Sequence, residues 1–220
     1  RIRGRRLTHV HPAAPMDLIF EHLMLVAVAV AGAADIGVPV GVLLTRRPTM
    51  SGPVLALANV FHTIPSLALF GFLIPILGVY GIGRVPALIA LFLYALLPIV
   101  RNTFTGIRGV DPAVRDAAIG MGMTDGQLLR LVELPLAASV IVAGLRVATV
   151  ISVGTATIAA AVGAGGLGTL MFRGLRMNDN SLILQGAVPA AAMALVADAL
   201  LGWISASLAP GASQLRARAA

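Results

Sequence analysis

The sequence predicts an all-α, polytopic membrane protein with about five kinked transmembrane helices and one structured polar loop between them. Three observations carry this. Of 220 residues, 58% are hydrophobic and 11% charged, with a mean hydropathy of +0.95, which is more apolar surface than one soluble core covers. Five runs, 18–44, 54–77, 85–107, 136–162 and 182–208, each reach the ~20 apolar residues that a helix needs to cross a hydrocarbon core. Between the third and the fourth lies the one long polar interval, which carries Arg108, Asp111, Arg115, Asp116, Asp125, Arg130 and Glu133.

Taken in order, residues 1–15 form a basic tail with histidines, prolines and no apolar periodicity, which predicts disorder, with Met16 as an alternative start. The tail, the apolar run from Leu23 and Ala31-Gly32-Ala33 imitate a signal peptide. The run continues through Gly37-Val38-Pro39-Val40 to Leu44, however, and therefore reads as a span. Pro39, Pro65, Pro98 and Pro189 fall inside the runs. Such prolines break soluble helices but are tolerated in membranes, where neighbours re-satisfy the freed carbonyls, so each is expected to kink its span. Glycine and alanine throughout permit close helix approach. Residues 16–208 thus form the membrane domain, with 108–135 as its loop, and 209–220 a second tail.

The polar interval reads as structured. Asp111 before Pro112 places a capping residue ahead of the residue preferred at the first helical position. A short helix runs through Ala118, Gly120 and Gly122 break it, and Thr124 with Gln127 three residues on is a capping box that starts a second helix. Pro135 ends the unit where the next apolar run begins. The expected form is two short helices with a glycine hinge, laid between two membrane helices.

Within it, Asp116-Ala117-Ala118 is followed after three residues by Gly122, then Met123 and Thr124, and nine residues beyond the glycine by Val132, Glu133, Leu134 and Pro135. This pattern resembles the cytoplasmic coupling loop of the permease subunits of bacterial ABC importers, which reads Glu-Ala-Ala, three residues, Gly, nine residues, Ile, one residue, Leu-Pro. Asp116 replaces the usual Glu and Val132 the usual Ile, which alters the reach of the acidic contact. The runs HTIPSLALFGFLIPILG at 62–78, LPIVRNTFTGI at 97–107 and VGAGGLG at 162–168 are similar to the branch that imports glycine betaine, carnitine and choline as osmoprotectants. Methionine-importer permeases share a comparable glycine-rich segment, so import of methionine or another amino acid is the alternative. The resemblance implies a type I importer permease fold in the bacterial inner membrane. It also implies a second permease subunit, two cytoplasmic ATP-binding subunits and an extracytoplasmic substrate-binding protein. ATP and Mg would then be held by the partner subunits, and Asp116, Ala117, Ala118, Gly120, Gly122, Met123, Thr124, Leu134 and Pro135 would form the ATPase-coupling site.

With that loop cytoplasmic, arginines favour the inside by seven (Arg46, Arg47, Arg108, Arg115, Arg130, Arg216, Arg218) to three (Arg84, Arg173, Arg176), apart from the N-terminal tail. Five spans put that tail outside, which requires either a non-native tail or an export context. The net charge of +7 comes from arginines scattered between apolar runs and forms no nucleic-acid face. Gly163, Gly165 and Gly168 satisfy the dinucleotide fingerprint but follow an apolar helical run instead of a strand, so a close-packed helix end is the better reading. No GK[ST] phosphate loop is present, which places any ATP hydrolysis on another chain, and catalytic residues are not expected. Apart from the weak tail pair His9 and His11, the histidines, with His22 and His62, show no metal-ligand spacing on one helix face, so no metal is expected, and zero cysteines exclude disulfides.

Polar residues inside the runs are the remaining candidates for a pathway. Asp35, Arg146 and Asp198 should face the bundle interior, because an unpaired charge in a span costs a few kcal/mol. There they serve either as ion pairs that hold helices or as part of the substrate path. His62 reads as a packing histidine near the cytoplasmic start of its span, with Ser66 beside it. Ser152, Thr155 and Thr157 either line the pore or bond their own preceding turn. A self-contained secondary transporter or channel is the other function class, but internal repeats of the kind such transporters show are not visible.

Overall fold

The structure, a computed structural model, describes residues 15–209. The two expected tails, with Arg216, Arg218, His9 and His11, lie essentially outside the described residues. Nine α-helices follow one another, and no strand occurs among the described residues. They are α1 (Pro15–Arg46), α2 (Pro48–Thr63), α3 (Ser66–Leu77), α4 (Arg84–Arg108), α5 (Pro112–Gly120), α6 (Asp125–Leu128), α7 (Leu134–Ala159), α8 (Gly168–Met177) and α9 (Asn180–Leu208). Four stretches are each long and apolar enough to cross a membrane: α1, α4, the continuous helix from Asp125 to Val162, and α9. The bent pair α2–α3 reaches that length and apolarity only when its two helices are taken together.

The bundle is built on α1, α4 and α7, which pack on one another, with α9 against α7 and α8 folded back onto α9. Close approach explains the order. Gly37 and Gly41 are four residues apart and so share one face of α1. A Cβ at Gly37 would stand 2.9 Å from the Ile99 side chain of α4, and one at Gly41 would stand 2.6 Å from that of Thr103. Gly144 of α7 makes the same kind of contact on the other side of α4, where a Cβ would lie 2.6 Å from Asn102. The main core, around Leu25, Phe70, Leu91, Tyr94 and Val153, fills the space between α1, α3, α4 and α7. By contrast α9 buries only Gly186 and Ala190, and leaves Leu195, Leu200 and Trp203 exposed on the chain's surface.

Two expectations about the spans need correction. The run 54–77 is not one kinked helix but two helices bent by 97°. A proline disfavours helical geometry in the residue before it, and Ile64 is accordingly extended, at φ −66° and ψ 126°, with Pro65 itself at φ −55° and ψ 134°. The Tyr94 hydroxyl donates to the freed Ile64 carbonyl, which satisfies the break from a neighbouring helix. Pro39, Pro98 and Pro189 instead lie inside helices that run on without a break.

The second correction concerns the loop. Pro135 does not end it, because α6 continues through a wide π-helical turn, Leu129–Glu133, directly into α7. In that turn the Leu134 N–H donates to the carbonyl of Leu129, five residues back. The wider turn relieves the clash that the Pro135 ring would otherwise make with the carbonyl four residues before it. The second loop helix is therefore the head of a membrane helix.

Candidate functional site

The polar interval folds at one end of the bundle, beside Arg46 at the end of α1. The Asp111 carboxylate accepts from the Ala113 N–H at 2.8 Å and starts α5. The helix closes in a Schellman motif: the Gly122 N–H donates to Ile119 O at 2.9 Å and the Met123 N–H to Ala118 O at 3.2 Å. Gly122 takes the left-handed position that this motif requires, at φ +83°. Only Gly122 forms the hinge, since Gly120, expected to share the role, is the last residue of α5. Thr124 and Gln127 form the expected capping box, with the Thr124 N–H donating to Gln127 Oε1 at 2.8 Å and the Gln127 N–H to Thr124 Oγ1 at 3.4 Å. Ala118 is buried, while Asp116, Ala117 and Gly120 stay exposed. Met123 and Leu134 are half-buried and Pro135 is exposed. The loop therefore offers a surface on which the Asp116 carboxylate and Ala117 stand among exposed apolar side chains, Val114, Ile119 and Met121.

Beneath that surface lies a residue whose importance sequence reasoning missed. Glu133 is fully buried, and its carboxylate forms an ion pair with Arg115 of α5 at 3.0 Å and accepts from both terminal nitrogens of Arg46 of α1. Each arginine side chain is about one-third exposed, so the carboxylate is held from two sides while the cations keep partial access to water. The signal was present: Glu133 stands between Val132 and Leu134, an acid in an apolar context like those that singled out Asp35 and Asp198.

Of the intramembrane charges, Arg146 and Asp198 meet each other. The guanidinium donates through Nε to Oδ1 at 2.6 Å and through Nη2 to Oδ2 at 2.5 Å, a two-pronged pair that ties α7 to α9. Their side chains are each 41% exposed, so the pair lies on the flank of this chain and not in its interior. Arg146→Ala is expected to lower the yield of assembled protein by stranding the carboxylate, and Arg146→Ala/Asp198→Ala to recover much of it. Full yield from the single variant in size-exclusion chromatography would contradict this. Asp35 was also expected to face inward. It is exposed instead, without an ion-pair partner among the described residues.

His62 sits at the end of α2, one turn before the break and away from the start of its span. Its ring packs edge-on against Tyr94 at 5.8 Å, and its Nδ1 is buried without a partner among the described residues. Ser66 opens α3 just beyond the break. Ser152 is fully buried with no partner for its hydroxyl among the described residues, and Thr155 is buried near it. Thr157 donates to Gly154 O at 2.7 Å, a bond to its own preceding turn.

At the opposite end, the glycine-rich segment is a turn with three left-handed glycines, Gly163, Gly165 and Gly166. Glu21 of α1 accepts from the Gly166 N–H at 3.1 Å and from Arg84 of α4 at 2.7 Å, and the Gly83 N–H donates to Val162 O at 2.7 Å. His22, fully buried, bonds Val153 O through Nε2 at 3.1 Å. The expected close-packed helix end is a three-way tether of α1, α4 and α7, in which Glu21, given no role by the sequence, pairs with Arg84, read there only as an outside arginine.

Residues 37–214 match the family described as Binding-protein-dependent transport system inner membrane component. The chain is 46% identical over 196 residues to the carnitine transport permease protein OpuCD of Listeria monocytogenes, a match spanning 89% of this chain and 86% of the relative. It is 45% identical over 195 residues to the choline transport system permease protein OpuBB of Bacillus subtilis, across 89% of this chain and 88% of the relative. Its fold is similar to a chain of the MetNI methionine ABC transporter solved in inward-facing conformations, with TM-score 0.80 and 25% identity over 89% of this chain and 96% of that one. A bundle of about five membrane helices with a capped two-helix loop at one end, matched along most of its length, is an ABC importer permease, and the chain belongs to the binding-protein-dependent transport system inner membrane components.

Proposed function

We propose that this permease forms, with a second permease subunit, the path by which quaternary ammonium osmoprotectants such as carnitine, choline and glycine betaine enter the cell. The observation that carries the reading is identity of 46% and 45%, along 89% of the chain, to permeases named for carnitine and choline. Both compounds are small quaternary ammonium ions. The α5–α6 end faces the cytoplasm, where two ATP-binding subunits dock on Asp116, Ala117 and the turn at Gly122. Closure of those subunits on ATP carries the coupling helices inward, and the permease pair rocks open toward the external binding protein.

The same residues support specificity residing outside this chain. Quaternary ammonium recognition uses an aromatic cage. Trp203 and Tyr80 are each 66% exposed on separate elements, and the Tyr94 hydroxyl is engaged with Ile64, so the tryptophan and tyrosines do not converge. Calorimetry on the permease with its ATPase subunits, without the binding protein, should therefore find choline or betaine bound no tighter than about 1 mM, or about 4 kcal/mol. Micromolar binding would reveal a specificity site within the spans. Reconstituted vesicles with ATP inside and the binding protein outside should accumulate labelled choline or carnitine, whereas uptake of methionine alone would overturn the substrate assignment.

A further inference from the structure

We infer that Glu133 is the positioning residue through which displacement of α5 reaches the membrane helices: its carboxylate, held between Arg115 of α5 and Arg46 of α1, makes α5, the end of α1 and the head of α7 move as one body. This rests on the coupling role proposed above and adds the residue that transmits the motion.

Besides the three-residue link 109–111 back to α4, in which Val110 is buried, two routes connect α5 to the bundle. One follows the chain through Met121 to Thr124, exposed or half-buried residues that turn on the left-handed Gly122. Such a segment turns a helix but transmits push and pull poorly. The other route is direct. Glu133 belongs to the π-helical turn that runs unbroken into α7, Arg115 stands in the first turns of α5, and Arg46 is the last residue of α1. Ala118 is the only buried residue of α5, so Arg115 is a principal attachment of that helix to the bundle.

The chemistry makes the attachment stiff. A fully buried carboxylate with one oxygen shared between two arginines and the other held by Arg46 leaves little room for rotation. Releasing either arm leaves buried charge less well compensated, which disfavours intermediate positions. The wide turn at Leu129–Glu133 has a positional consequence as well, since the extra residue in that turn sets which face of the helix Glu133 occupies.

The test uses the complete importer in proteoliposomes: permease, ATPase subunits and binding protein, with labelled choline as the probe. Retention of the ATPase subunits by the unaltered permease is read first, and its failure would remove the coupling role itself. Glu133→Gln keeps the size of the side chain and removes its charge. The ATPase subunits should still co-purify with this variant, while choline moved per ATP hydrolysed falls by about tenfold. Arg46→Gln should lower the same ratio, and Glu133→Gln/Arg46→Gln should be no worse than the more affected single variant, because the two residues act as a unit. A merely structural role would reduce uptake and stimulated hydrolysis together by lowering the amount of folded importer, and leave their ratio unchanged. An unchanged ratio in Glu133→Gln, additive losses in the double variant, or loss of the ATPase subunits from Glu133→Gln alone would each overturn the inference.

Discussion

Gly41→Leu is expected to leave little folded protein in the membrane. Even the Cβ of the new side chain would stand 2.6 Å from the Thr103 Cβ and 2.9 Å from the Val100 carbonyl oxygen, and the rest of a leucine has nowhere to go. The helices α1 and α4 would have to separate along the face that Gly37 and Gly41 share, where Ile99 and Thr103 are fully buried. Overpacking of this kind costs roughly 1–3 kcal/mol and occasionally more, a large share of the roughly 5–15 kcal/mol by which folded proteins are stable. Gly71→Leu is the matched control, because a Cβ there meets nothing within 4 Å. Thermal unfolding of the detergent-purified chains should separate the two variants clearly, and equal stability would remove close helix approach as the principle that orders the bundle.

What could be read from the sequence was what depends on local composition. Four of the five apolar runs, the capping box at Thr124 and Gln127, the cap at Asp111 and the turn at Gly122 each use residues within a few positions of one another, and each is found where expected. Features set by distant partners were illegible. Pro65 breaks its span while Pro39, Pro98 and Pro189 do not, and part of the difference is Tyr94, 30 residues away in sequence, which stabilises the freed carbonyl of Ile64. Glu133 looked like one charge among several in a polar loop until Arg46, 87 residues earlier, was placed against it. Asp35 was expected inside because a charge in a span needs a partner or water. A single chain does not supply the partner, and a pore-forming complex has further surfaces on which such a residue can be satisfied. The Arg146–Asp198 pair shows the converse, since two charges each noticed separately turn out to satisfy each other across 52 residues.

Gly122→Val should weaken productive coupling about tenfold while leaving the permease folded. At φ +83° this residue occupies the left-handed position of the Schellman motif, where a side chain costs about 1–2 kcal/mol, and a β-branched one more. A Cβ at this glycine meets nothing within 4 Å, so the cost is confined to the backbone and falls on the angle between α5 and α6. Relief of that strain turns α5 away from the orientation in which Asp116 and Ala117 face outward, and uptake per importer should fall by about tenfold, the equivalent of about 1.4 kcal/mol. Gly122→Asn should retain most of the activity, because asparagine tolerates this conformation and Asn178 already adopts it, at φ 53°, at the end of α8. Gly120→Ala should be tolerated as well: this glycine is helical, has open space around it, and gains up to about 1 kcal/mol of helix propensity from the methyl group. The three variants, reconstituted with ATPase subunits and binding protein, separate backbone handedness from side-chain bulk. Wild-type uptake and ATPase stimulation in Gly122→Val would show that the orientation of α5 does not depend on this turn, and uptake lost equally in Gly120→Ala would show that bulk at the docking surface, not handedness, is what the glycines provide.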